Sequence, residues 1–209
     1  MPFESVRRRA IPGCAAALTA AALMAVPAAA ANAGVVAPAR CPEVATAPAF
    51  APWGDFADYF MAPGGDFEDG AASWELAGGA ATVEGSAPSS IGGAADQRAL
   101  AVPAGGSATS PVVCIGVEHR SMRFFARGAT SGAIRVEAVY DKRTAKEKVV
   151  QVATVSTTAA WAPTDVLPLV VNDAAADYGN ALPVALRFSA VGTGSWQIDD
   201  VYVDPYRTG

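Results

Sequence analysis

Short runs of alternating apolar and polar residues fill the chain beyond Gly64, and Gly, Pro, Asp or Ser ends most of them. A period of two is typical of a strand whose side chains point in turn into a core and away from it. The pattern predicts strands over residues 73–76, 80–84, 98–102, 112–115, 121–127, 133–140, 148–155, 166–171, 184–191 and 196–203. Because no run keeps helical periodicity long enough for a crossover helix, we expect an all-β fold, a two-sheet antiparallel β-sandwich (jelly roll).

The last predicted strand contains a break in this alternation. Trp196 and Ile198 share one face, and the apolar positions resume at Val201 after two aspartates, Asp199 and Asp200. One extra residue in a strand indicates a β-bulge. A bulge at this point gathers backbone carbonyls and carboxylates, which are the ligands that calcium prefers.

The first 33 residues have the layout of a secretory signal peptide. Three arginines at positions 7–9 precede an apolar run from about residue 10 to residue 26 and a small-residue tract that ends at Ala33. A membrane anchor is the alternative, but a spanning helix needs about 20 strongly apolar residues. The general secretory route is favoured over the twin-arginine route, because no Phe or Leu follows the arginines where that motif requires one.

The chain therefore divides into a signal peptide (1–33), an N-terminal extension or linker (34–63) and a sandwich domain (64–205). Cleavage after Ala33 leaves 176 residues with 12 basic and 19 acidic side chains, a net charge of −7. Such a chain is long enough for one domain with a sizeable core. We expect a secreted protein with no membrane span after cleavage and, because it is acidic, no nucleic-acid partner.

The cysteines indicate a covalent link. Cys14 falls in the predicted signal peptide, so Cys41 and Cys114 remain as a pair. An even pair in an exported chain predicts a disulfide, which would stabilise the fold by about 4 kcal/mol in the chain-entropy model. The alternatives are a nucleophilic Cys114 served by His119, although the chain has no second histidine, and a metal site on His119, which lacks further nitrogen or sulfur ligands.

Motifs of the common enzyme classes are missing from the sequence. It contains no Gly-x-Ser-x-Gly elbow, no His-Glu-x-x-His helix and no phosphate-binding Gly-rich loop with its lysine. A glycosidase needs two carboxylates about 5 to 9.5 Å apart across a sugar. Glu75, Glu84, Glu118 and Glu137 are available, and their spacing in the sequence does not tell whether any two of them converge. We therefore expect a binding or structural module and no enzyme.

Two segments resemble a known family. The opening GDFEDG at residues 65–70, with Trp74 after it, and the closing WQIDDVYV at residues 196–203 resemble the galactose-binding-like jelly rolls, many of which are carbohydrate-binding modules. Trp161 matches the mid-chain tryptophan of that pattern. The arrangement is also similar to small secreted proteins of high-GC bacteria that have no assigned activity.

The resemblance implies a jelly roll with a structural calcium ion. It makes Glu68 and Asp199 the first candidates for calcium ligands, with Asp66 and Asp200 in reserve. The alternative is that these four acids are turn formers and edge charges without a metal.

A ligand-binding face is predicted from the polar sides of three strands. Arg123, Phe125 and Arg127 share one side of their strand, and Arg135 and Glu137 share the outer side of the next. If these strands and the strand of Arg187 are neighbours, the arginines form one basic strip with an aromatic floor, suited to a glycan or an anionic cell-envelope polymer. The alternatives are an ordinary solvated sheet with paired charges, and a structural or interaction protein of the envelope with no sugar ligand.

The N-terminal extension carries aromatic residues at helical spacing. Trp53, Phe56 and Phe60 recur every three or four positions, which predicts one turn of helix over an end of the sandwich. These rings either pack on the domain or form an exposed platform for sugars.

Overall fold

The computed structural model describes residues 41–87, 93–128, 132–141, 147–156 and 159–205. The predicted signal peptide, residues 1–33, lies outside the described residues. The strands are, in chain order, β1 (Phe60–Met61), β2 (Glu75–Ala77), β3 (Ala81–Glu84), β4 (Arg98–Val102), β5 (Ser107–Thr109), β6 (Val113–Ile115), β7 (Ser121–Gly128), β8 (Ala133–Asp141), β9 (Glu147–Val155), β10 (Ala162–Pro163), β11 (Leu167–Pro168), β12 (Leu182–Val191) and β13 (Trp196–Asp204).

The strands form two antiparallel sheets. In sheet A the order is β10-β7-β13-β4-β3, with β1 also paired to β13 and β11 to β7; in sheet B it is β2-β5-β12-β8-β9, with β6 also paired to β12. The predicted all-β, two-sheet antiparallel sandwich is thus confirmed. The central strands β12 and β13 pair with strands far away in the sequence, because the chain crosses repeatedly between the sheets.

Helical structure is short. The described helices are α1 (Asn172–Ala175) and three 3₁₀ turns, at Ala51–Trp53, Gly93–Ala95 and Ala176–Tyr178. Among the described residues, no helix has the length and apolar character needed to cross a membrane.

The core lies between the two sheets and is built from the inward members of the alternating strands. Phe124 of β7 meets Phe188 of β12 edge to face, with ring centroids 5.2 Å apart. Trp196 and Ile198 of β13 are fully buried in the same cluster. Period-two alternation therefore identifies the inward side of each of these strands correctly.

A second, smaller core covers the outer side of sheet A. Residues 47–59 lie across it, and Phe50 is fully buried against Phe125 of β7, with ring centroids 5.6 Å apart. Tyr202 of β13 meets the same Phe50 ring edge to face at 5.7 Å. The predicted extension therefore contributes a strand, β1, and a buried aromatic layer to the domain.

The structure contains the predicted disulfide between Cys41 and Cys114, with Cα atoms 5.5 Å apart. It links the start of the described chain to β6. Because the sulfur of Cys114 is bonded, that cysteine is no free nucleophile. His119 is buried, and its Nδ1 accepts a hydrogen bond from the backbone N–H of Gly116 at 2.6 Å.

Candidate functional site

The register between β13 and β7 slips at the aspartate pair. Asp199 lies opposite Phe125 and Tyr202 lies opposite Arg123, so β13 holds one residue more than β7 between these two pairs. Asp200 has a φ of 49°, a left-handed conformation that residues other than glycine adopt rarely. The predicted β-bulge is confirmed. Asp199 and Asp200 at the bulge are both fully buried.

Three buried carboxylates meet beside this bulge, and we call them the acidic cluster: Asp96, Asp199 and Asp200. One carboxylate oxygen of each lies within 4.8 Å of the others. Asp199 accepts hydrogen bonds from the backbone N–H of Ala87 at 3.0 Å and of Asp200 at 2.9 Å. The carboxylate oxygens of Asp96 accept no hydrogen bond from any described residue.

Burial and mutual repulsion make ionisation of the acidic cluster costly. Burial, with help from the charges of Asp200 and Asp96, raises the pKa of Asp199 to about 8. Burial, followed by the neighbouring carboxylate of Glu68, raises the pKa of Asp96 to about 6. A divalent cation would remove both penalties, because it favours the ionised carboxylates.

Two of the four predicted calcium ligands lie in the acidic cluster, and the charges of the other two, Glu68 and Asp66, act on its third member, Asp96. Asp199 and Asp200 belong to the acidic cluster, whereas Glu68 accepts the backbone N–H groups of Gln97 at 2.7 Å and Arg98 at 2.6 Å. Glu68 thereby fixes the chain just after Asp96. Asp66 caps its own turn, accepting the backbone N–H of Glu68 at 3.4 Å.

Asp96 is the member of the acidic cluster that the sequence did not identify. It lies just after the 3₁₀ turn Gly93–Ala95, in a stretch of Gly, Ala and Ser where a lone aspartate forms no pattern. Three carboxylates buried together offer hard oxygen atoms, the kind of ligand that could hold a metal ion.

The predicted basic strip is split between the two sheets. Strand β7, with Arg123, Phe125 and Arg127, lies in sheet A, while β8 and β12, with Arg135, Glu137 and Arg187, lie in sheet B. The prediction of one shared face is therefore wrong. The strands follow one another in sequence but are not neighbours, because the chain crosses to the other sheet after β7.

Arg123 and Phe125 are structural residues under the second core. The guanidinium of Arg123 donates to the carbonyl oxygen of Thr164 at 2.6 and 2.9 Å and to Asp55 Oδ2 at 2.7 Å. It also lies 4.4 Å from the ring centre of Phe50. Both residues are buried, so the prediction that they contact a ligand is corrected.

Arg127 remains at the border of this buried layer. Its Nε donates to Gln197 Oε1 of β13 at 2.8 Å, and its guanidinium lies 4.9 Å from the ring centre of Trp161.

The predicted aromatic helix is a single 3₁₀ turn, Ala51–Trp53. Phe60 packs in the main core, while Trp53 and Phe56 keep exposed surface.

The outer side of sheet B holds the other three predicted residues, and we call it the sheet B face. Arg187 lies opposite Glu137 and donates to its Oε2 at 2.9 Å, with Glu147 at 3.8 Å from Nη1. Arg135 lies between Ser189 and Thr154 on the neighbouring strands. Among the described residues, the outward positions of these strands carry no aromatic ring.

Glu75 and Glu137, two of the glutamates considered for glycoside hydrolysis, lie far apart on the sheet B face. Glu75 lies opposite Thr109, Thr109 opposite Arg187 and Arg187 opposite Glu137, so two strands separate the two glutamates. Three strand spacings amount to about 14 Å. Retaining and inverting glycosidases hold their carboxyl groups about 5 to 9.5 Å apart.

No protein-family model matches the chain, and no curated protein does. Among solved structures, the CBM22-1–CBM22-2 tandem domain of Paenibacillus barcinonensis Xyn10C is 12% identical, with a TM-score of 0.50, over 80% of this chain and 49% of its own. The CBM22-1 xylan-binding domain of the same Xyn10C is 12% identical, with a TM-score of 0.48, over 72% and 94%.

The CBM22-1–GH10 modules of Clostridium thermocellum endo-1,4-beta-D-xylanase 10B, complexed with xylohexaose, are 17% identical, with a TM-score of 0.47, over 66% of this chain. This chain spans only 27% of that protein. At these identities the likeness concerns the fold, a β-sandwich shared with carbohydrate-binding modules.

Proposed function

We propose that this chain is a secreted, non-catalytic binding domain that holds a glycan or an anionic cell-envelope polymer on the sheet B face. The observation that carries the proposal is the open charged row of Arg135, Glu137 and Arg187. These side chains keep part of their surface exposed, whereas residues 47–59 cover the equivalent residues of sheet A. The fold shared with the Paenibacillus tandem domain supports a carbohydrate as the class of ligand.

The chemistry of the sheet B face supports an anionic ligand in particular. Among the described residues, Arg135 makes no ion pair, and its cross-strand neighbours are the hydroxyl residues Ser189 and Thr154. A guanidinium flanked by hydroxyl groups suits a carboxylate, sulfate or phosphate on a sugar ring. The Arg187–Glu137 pair next to it offers both donors and an acceptor to sugar hydroxyls.

We also propose that calcium is a structural ion of this domain, held by Asp96, Asp199 and Asp200. Calcium would supply the positive charge that allows these buried carboxylates to ionise. The ion would then stabilise the junction between the closing strand and the segment before β4. Export is supported by the Cys41–Cys114 disulfide, because disulfides persist in oxidising compartments.

The binding proposal is tested with Arg135→Ser and Arg187→Ser, singly and together. Polygalacturonate serves as the anionic polymer and a mixed-linkage β-glucan as the neutral one. Loss of a charged hydrogen bond costs about 1.5 to 3 kcal/mol, so each change should weaken binding to the anionic polymer about tenfold or more. Arg98→Ser is the matched control, since Arg98 is an exposed arginine of sheet A.

Two results would contradict the proposal. Equal loss with Arg98→Ser would mean that the polymer responds to overall charge and to no particular face. The second result is that the unchanged domain is retained on no polysaccharide. This would support the alternative function, that of an envelope protein that acts as a spacer or docking module without a sugar ligand.

A further inference from the structure

Strand β9 forms one edge of sheet B. It pairs with β8 along one side, and the backbone N–H and C=O groups of its other side pair with no strand in the described part of the chain. The strand is nine residues long, Glu147–Val155, and contains neither proline nor glycine. A long edge of this kind is able to pair with a further extended chain.

The features that usually protect an edge strand lie in the first part of β9. Edge strands are commonly protected by a lysine, a proline or a bulge. The lysine of β9, Lys148, lies near its start, with Nζ 5.4 Å from the ring centre of Tyr140. The register with β8 shifts once, at Val152, and the residues beyond it, 153–155, pair regularly with β8. The last residues of β9 are therefore the part of the edge that is open to a further strand.

A cleft of about 390 Å³ opens beside this end of β9. Residues 154–156 line one side of it, and β10 lines the other together with Thr164 and Asp165. Because β10 is a terminal strand of sheet A, the cleft lies between the edges of the two sheets, and we call it the edge cleft. Side chains alternate in direction along a strand, so every second side chain of a strand added to β9 would point toward the edge cleft.

The polar groups of the edge cleft favour a positively charged side chain. Asp165 is exposed, and its carboxylate makes no ion pair or hydrogen bond with any described residue. The hydroxyl oxygens of Thr154 and Thr164 lie in the same cleft, and none of the described residues that line it is basic. A carboxylate and hydroxyl oxygens accept the hydrogen bonds of an ammonium or guanidinium group. The chain is also acidic overall, which attracts a basic partner.

We infer that the end of β9 and the edge cleft bind an extended basic segment of a partner polypeptide. The segment adds a strand to sheet B and places a lysine or arginine side chain beside Asp165. Backbone hydrogen bonds to the free edge would supply affinity, and the charged side chain in the cleft would supply specificity. N–H and C=O groups that alternate along an extended chain are a property of polypeptides. The site is therefore independent of the polysaccharide proposed for the sheet B face, and either proposal can fail without the other.

Synthetic peptides give a direct test. The probe is a nine-residue peptide in which threonine and valine alternate on both sides of a central lysine. Amide hydrogen exchange of the isotope-labelled domain, followed by NMR, should slow in residues 153–155 when this peptide binds, because their backbone groups gain partners. A peptide with a central glutamate should bind about tenfold more weakly. The lysine peptide with methylated backbone nitrogens should not bind, since it cannot donate to the edge.

Substitutions in the domain complete the test. Asp165→Lys reverses the charge of the edge cleft, so it should weaken binding of the lysine peptide about tenfold and strengthen binding of the glutamate peptide. Asp173→Lys is the matched control, because it makes the same change at an exposed aspartate of α1, which does not line the cleft. Arg135→Ser with Arg187→Ser should leave peptide binding unchanged, which separates the edge cleft from the sheet B face.

Three outcomes would overturn the inference. The first is that the lysine peptide leaves amide exchange in β9 unchanged. The second is that Asp165→Lys and Asp173→Lys bind both peptides equally, or that the methylated peptide binds as well as the lysine peptide. The third is that amide exchange in β9 slows with rising protein concentration when no peptide is present, since a second copy of the chain would then occupy the edge. Circular dichroism verifies that each variant is folded.

Discussion

Asp199 on the last strand accepts a hydrogen bond from the backbone N–H of Ala87, 112 positions earlier in the chain, at 3.0 Å. The same carboxylate lies with Asp96 and Asp200 in the acidic cluster. The contact between the closing strand and the segment before β4 is therefore coupled to the ionisation of the acidic cluster. Anything that stabilises the ionised carboxylates should stabilise the contact between the closing strand and the segment before β4.

The first prediction concerns calcium. Removal of the ion with a chelator should lower the melting temperature of the domain, and added calcium should restore it, because three buried carboxylates repel one another without a cation. Asp96→Asn should reduce the response to calcium, whereas Glu84→Asn, at an exposed position of β3, should leave it intact. A melting temperature that changes with neither chelator nor calcium would exclude the site.

The second prediction concerns the disulfide. Cys41→Ser or Cys114→Ser should lower the free energy of unfolding by about 2 to 4 kcal/mol, because the crosslink restricts the unfolded chain. Urea denaturation measures this loss, and mass spectrometry of the non-reduced protein should find no free thiol at either position. Labelling of either cysteine by a thiol reagent under native conditions would contradict the pairing.

The third prediction concerns the ion pair between Asp55 and Arg123, under the segment that covers sheet A. Burial favours protonation of Asp55, but hydrogen bonds from Tyr59 and Arg123 outweigh it and lower the pKa of this carboxyl below 3.8. The unfolded chain therefore takes up the proton first as pH falls, so this stabilisation is present above pH 3.8 and is lost at lower pH. Asp55→Asn should lower stability by about 1 to 3 kcal/mol at neutral pH.

Asp58→Asn is the matched control for this change, because Asp58 is an exposed aspartate of the same segment. Urea denaturation at neutral pH and near pH 3 separates the two variants. Equal stability of Asp55→Asn and the parent protein at neutral pH would show that the ion pair contributes nothing to stability.

Local pattern predicts the strands well because packing imposes the alternation residue by residue. It identified the inward Phe124 and Phe188 and the bulge at Asp199, since each follows from adjacent residues. Which strands pair is a different matter, because it depends on contacts between distant parts of the chain. Strands β7 and β8 follow one another but lie in different sheets, and this separates Arg123 from Arg135.

Two further features left no signal in the sequence for a related reason. Asp96 is one aspartate in a stretch of small residues, and only the folded chain brings it to Asp199. Phe50 follows a run of Ala, Pro and Val that is typical of a linker, yet its ring is fully buried on Phe125. Burial of a single ring produces no periodicity, so pattern analysis does not detect it.

The last prediction concerns Gly128 at the end of β7. A Cβ atom at this position would overlap the Trp196 indole, its nearest neighbour, and that ring is fully buried at the centre of the core. The indole belongs to β13, which pairs with β7 at this point, so it has no free space into which it can move. Gly128→Ala should therefore destabilise the domain by about 1 to 3 kcal/mol through overpacking.

Gly54→Ala provides the comparison for this change. Gly54 has a φ of 81° and no atom within 4 Å of an added Cβ, so the substitution there costs about 1 to 2 kcal/mol of backbone strain without any clash. The two variants differ in the signal of the core: near-ultraviolet circular dichroism of the buried tryptophans should change for Gly128→Ala and stay as in the parent for Gly54→Ala. An unchanged spectrum and unchanged stability of Gly128→Ala would mean that β7 can move away from Trp196, and the close contact would then not limit the packing of the core.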